Sequence, residues 1–187
     1  MRPFLMLETA RLVGVWAWAE GSLYEVVGGW VPSTVAPAVK VYFDAVSQHH
    51  AWRAHLWQQR LPARLVPANA DGSYPDVARA PSTSAEKAMQ TLSNLVGDAG
   101  RLAVYCRVVL VRAVVAYRYW QRRCSPTSDR PVARVLGQAL ADVVADWQEG
   151  SELLVGLLDG PAGAQAAAEV GRLPVEVERL LSGESLA

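Results

Sequence analysis

Apolar residues recur every three to four positions along most of this chain, and no stretch alternates convincingly with period two. That pattern, punctuated by prolines and glycines, predicts an all-α fold with five candidate helices. The first spans about 9–29, with Thr9 as N-cap, Gly28-Gly29 at its end and Pro32 preventing continuation. The second begins between Thr34 and Pro37 and ends before Pro62. Residues 62–81 hold Pro62, Pro67, Asp71-Gly72, Pro75 and Pro81, a connection well beyond ordinary loop length. Ser82 to Ser84 can cap a third helix reaching about 96, and Gly97 and Gly100 mark a break before a fourth over 101–123. The fifth covers 131–158; two weaker pieces, 164–172 and 175–181, are expected to pack across one end. Joints that run short, long, short predict two antiparallel hairpins joined by one long crossover. The whole chain, 1–187, is expected to be one domain, with its core bundle in about 9–158 and the C-terminal pieces in 162–183.

Projected at about 100° per residue, the helix faces carry unusual cargo. Val13, Trp16, Glu20, Leu23, Tyr24 and Val27 share a stripe of the first helix, so a carboxylate sits mid-core. Val39, Phe43, Val46, His50, Arg53 and Trp57 share one on the second. The 101–123 helix offers Tyr105 and Tyr117 but no carboxylate, and the 131–158 helix brings Trp147 with Asp146 near the edge. A buried polar cluster of Glu20, His50, Arg53, Tyr117 and Asp146 follows, since such groups are costly on a core face unless they satisfy one another. All three histidines, His49, His50 and His55, lie within one short run of this helix, yet they point roughly 100° and 140° apart and cannot jointly chelate a metal from a regular helix. Val104, Val108, Val111 and Val115 form a second apolar stripe, which is expected either to be covered by residues 84–96 and the C-terminal pieces or to make an isologous homodimer contact; the dimer is preferred.

Composition narrows the classes. Apolar residues make up 51% and charged residues 19% of 187, too hydrophobic for disorder. The formal net charge of zero leaves no field for nucleic acid, which is not expected as a partner. Cys106 and Cys124 fit neither a disulfide framework nor zinc-ligand spacing. The apolar run 102–120 is long enough to span a bilayer, but Arg107, Arg112 and Arg118 interrupt it, so no membrane association is expected. With no signal-peptide pattern at the N-terminus, a cytoplasmic location is expected.

Three pieces carry a resemblance to a known family: Trp16-Ala-Trp-Ala-Glu20 through Gly28-Gly29-Trp30, His49-His50-Ala51-Trp52 through Leu56-Trp57, and Asp129-Arg-Pro through Asp142 to Asp146-Trp147. In these the chain resembles the ferritin-like superfamily, in particular small actinobacterial ferritin-like proteins. The resemblance implies a ferritin-like four-helix bundle with short additional helices. Carboxylate-bridged members hold two irons with a Glu from each of two helices and a Glu-x-x-His pair from each of the others. This chain has no Glu-x-x-His, and Arg53 occupies an inward position where a ligand would belong. Arginine cannot ligate, and its fixed charge repels a dication.

Two functional readings follow. The first, preferred on the strength of Arg53, is a non-catalytic, metal-free and cofactor-free protein acting through a protein partner, a dimer surface or a small apolar ligand. The alternative is a metal-dependent oxidase or hydroxylase, with iron or manganese held by Glu20, His50 and Asp146. Other enzyme classes find no motif: there is no Gly-x-Ser-x-Gly elbow and no phosphate-binding glycine loop.

Overall fold

In the computed structural model, which describes residues 6–61, 78–160 and 163–182, the chain is all-helical, with no strand among the described residues. Its elements are α1 (Met6–Trp30), a 3₁₀ turn (Val31–Ser33), α2 (Pro37–Gln58), α3 (Thr83–Ser93), α4 (Asp98–Val104), a π-helical turn (Tyr105–Val109), α5 (Leu110–Gln121), α6 (Arg130–Asp159) and α7 (Gly163–Ser182). Residues 62–77 of the predicted 62–81 connection lie outside the described residues.

Helix α1 passes through Gly28-Gly29 instead of stopping there, because tertiary contacts hold its last turn. Trp30 is buried and donates its indole N–H to Leu92 O at 3.2 Å, while Thr34 Oγ1 and Ser33 Oγ donate to the Trp30 carbonyl. Pro37 then opens α2, where its fixed φ suits the first turn. The Val35 and Ala36 amides ahead of it donate to the Asp98 carboxylate, tying this corner to the start of α4. Ser82 caps α3 by accepting from the Ala85 amide at 3.2 Å. The break before α4 falls at Gly97, whose φ of 78° suits glycine. Gly100 does not break the helix; it gives α7 room, since a Cβ there would lie 2.6 Å from Leu173 Cδ1.

Aromatic contacts fix the helix directions. Trp30 meets Tyr105 and Trp16 meets Tyr117, so α1 runs against the continuous rod formed by α4, the π turn and α5. Tyr42 meets Tyr105 and Trp57 meets Tyr117, so α2 runs with that rod. A short joint sends α6 back antiparallel to α5. The order is therefore up, down, down, up, and the two consecutive parallel elements, α2 and the rod, are separated in the chain by residues 59–82 and α3.

The two weak C-terminal pieces are one helix, and α7 lies along the rod instead of across an end. Pro174 sits inside it and offers no amide hydrogen to Val170 O, so Arg107 Nη1 donates to that carbonyl at 3.3 Å instead. Buried apolar residues from every helix join one cluster. Tyr24 and Trp147, expected in the core, are 43% and 41% exposed, at the edges of their stripes. Among the described residues no helix is long and apolar enough to cross a membrane.

A buried ion-pair network as candidate functional site

Helices α1 and α2 are regular, so the 100° projection places Glu20, His50 and Arg53 facing one another, each at most 2% exposed. Arg53 donates from Nε to Glu20 Oε2 at 3.0 Å and from Nη1 to Asp146 Oδ2 at 3.1 Å. The guanidinium thus stands between two carboxylates contributed by α1 and α6. Glu20 also takes hydrogen bonds from the Tyr117 hydroxyl on Oε1 and from His50 Nδ1, 2.5 Å from Oε2. On the other side, His49 Nδ1 lies 2.7 Å from Asp146 Oδ1, and the Tyr42 hydroxyl donates to the Asp146 carbonyl at 2.7 Å. His49 is half exposed, and it links the network to the surface.

The tautomer of His50 follows from these distances. A carboxylate oxygen only accepts, so a 2.5 Å separation requires the hydrogen on Nδ1. In the neutral ring Nε2 is then the acceptor, and the Tyr105 hydroxyl donates to it at 2.8 Å. Arg53 Nη2, 3.0 Å from the same Nδ1, finds no lone pair there. Burial pushes the His50 pKa down; Glu20 pulls it up and Arg53 pushes it further down, with a net lowering that keeps the ring neutral. For Glu20, burial acts to raise the pKa, but Arg53, His50 and Tyr117 outweigh it and bring it to about 2. Arg53 is disfavoured by burial and held charged by Glu20, Tyr105, Tyr117 and Asp146. Burial raises both phenols, Tyr105 and Tyr117, well above their ordinary range. The network therefore contains two carboxylates and one fixed cation, and Tyr117, His50 and His49 cover the remaining carboxylate positions.

Glu20, His50, Arg53, Tyr117 and Asp146 thus lie together. Sequence reasoning left out Tyr105, which the π turn puts here, and His49, which approaches Asp146 from the flank of α2. On a regular helix Tyr105 and Tyr117, twelve residues apart, would point about 120° apart. The extra residue absorbed by the π turn at Tyr105–Val109 reduces the offset to about 20°, so both phenols reach the cluster.

The same turn splits the valine stripe. Val104 and Val108 precede or lie within it and are 0% and 2% exposed, with α7 packed alongside, whereas Val111 and Val115 follow it and are 40% and 62% exposed. The four do not form one dimer face, because the stripe assumed an unbroken 100° phase.

The arrangement does not suit a metal. Glu20 and His50 are hydrogen-bonded to each other, and the Arg53 guanidinium stands between Glu20 and Asp146. Among the described residues, no group of three or more His, Cys, Asp or Glu side chains is placed to hold a metal ion. The Glu20, His50 and Asp146 set expected for iron or manganese therefore does not converge. The donors present do not fit the two-iron centre that the ferritin-like resemblance implies. Neither thiol is activated: burial pushes the pKa of Cys106 up to about 12 and that of half-buried Cys124 up to about 11. Comparison with family models, curated proteins and solved structures gives no match to this chain.

Proposed function

We propose that this chain is a ferritin-like four-helix bundle in which an internal cation has taken the place of metal, and that it works by binding rather than by catalysis. The observation that carries the reading is the Arg53 guanidinium between Glu20 and Asp146. A dimetal centre neutralises buried carboxylates with bound cations; here a side chain that cannot be lost to a chelator does so. The up, down, down, up order of the long helices supports the ferritin-like part, because it pairs two hairpins through one crossover. Under this reading the interior is a fixed scaffold, and function lies on its surface, toward a protein partner, a second copy or a small apolar ligand. Elemental analysis of protein expressed with added iron and manganese tests it. Metal well below one equivalent is expected. Two equivalents of iron or manganese, retained through gel filtration, would overturn it.

A further inference from the structure

The π turn that brings Tyr105 and Tyr117 together also turns Val111 and Val115 outward beside α7. Two ties join the walls there. Arg107 Nη1 reaches the Val170 carbonyl left without a helical donor by Pro174. Further along, Arg112 forks onto Glu178 at 3.0 and 2.7 Å and also reaches Ser182 Oγ at 3.1 Å. Along these ties α5 and α7 border an open crevice of about 650 Å³, a size typical of small-molecule sites. Val108, Val111, Val115, Pro174 and Val175 line it. Among the described residues its charged groups are Arg107, Arg112 and Arg179 against Glu178, an excess of two positive charges in a chain whose net charge is zero.

We propose that this crevice takes a fatty carboxylate, its acyl chain along the valines and its head group on the arginines, with exposed Arg179 as the principal contact. The proposal rests on the binding reading above and names its ligand class. A second copy docked through a two-fold axis would set the surplus positive charge against itself.

The test is calorimetric titration of the full-length protein with dodecanoate below its micellar concentration, with dodecyltrimethylammonium as the reversed head group. Saturable one-to-one binding of dodecanoate is expected, weakened at least about tenfold by Arg179→Glu and by Val115→Glu. Both positions are exposed, so the variants should fold, which circular dichroism checks. Absence of saturable binding, equal binding of the cationic amphiphile, or binding indifferent to both variants overturns the proposal. So does a wild-type dimer that Val115→Glu turns into a monomer in sedimentation, which would assign the face to a second copy. Metal content measured on the same preparation keeps the two proposals separate: metal-free protein that ignores dodecanoate defeats this one alone.

Discussion

Replacing Arg53 by methionine removes the fixed cation of the buried network while roughly keeping its bulk. Arg53 is 0% exposed and donates to both Glu20 and Asp146. Breaking a buried ion pair by deleting one partner costs about 3–5 kcal/mol, because the other charge is left uncompensated. Two carboxylates lose their partner here, but Glu20 keeps His50 and Tyr117, and Asp146 keeps His49. The cost should therefore resemble that of one broken pair, about 4 kcal/mol at neutral pH, a large share of a typical 5–15 kcal/mol stability. The pH dependence sharpens the test. In the wild type the Glu20 pKa lies at about 2 against an ordinary 4.5, so the stability it contributes is present above the ordinary value and is lost as pH falls toward 2. Without Arg53, burial acts on Glu20 unopposed by its largest attraction and raises its folded-state pKa, so the variant gains relative stability as the carboxyl takes up a proton. Urea denaturation at neutral and mildly acid pH should show a gap that narrows on acidification. A loss below about 1 kcal/mol at neutral pH, no more than a single ordinary hydrogen bond, would refute the argument.

The neutral His50 predicts a second pH effect. Its folded-state pKa lies below 6.5, so the unfolded chain takes up the proton first; stability is complete above that value and declines as pH falls through and below it. Thermal melts between about pH 7.5 and 5.5 should show the decline in wild type and a flatter profile in His50→Gln, and a flat wild type would contradict a neutral, buried imidazole. Gly150→Ala should cost about 1–3 kcal/mol by overpacking, because the added methyl falls on the Tyr42 hydroxyl and Cys106 Sγ; a change within 0.5 kcal/mol or so would mean that the α2–α6 contact yields easily.

Much of the interior was legible in the sequence because α1, α2 and α6 keep a regular phase. Glu20, His50, Arg53 and Asp146 could be placed by projection alone. The three-to-four spacing of apolar residues likewise announced a chain that is all-helical over its described residues. Legibility failed where the phase or the partner was not local. Nothing in Tyr105–Val109 announces a π turn, so the projection ran straight through it, pairing Val104 with Val115. Gly28-Gly29 and Pro174 carry strong breaking signals, yet the helices continue, because Trp30 is held by Leu92 and the Val170 carbonyl is satisfied by Arg107. Local propensity lost to contacts made by residues far away in the chain.

The π turn also makes chain length itself informative in the 98–121 rod. Deleting one residue from Tyr105–Val109 would restore a continuous α-helix, and on paper the rod would look more regular. Every side chain from Leu110 to Gln121 would then rotate by about a quarter turn relative to α4. Tyr117 would leave Glu20, and Val111 and Val115 would swing toward the stripe that Val104 begins. Substitution can alter this rod one side chain at a time, but a single deletion would reassign a whole face of it at once.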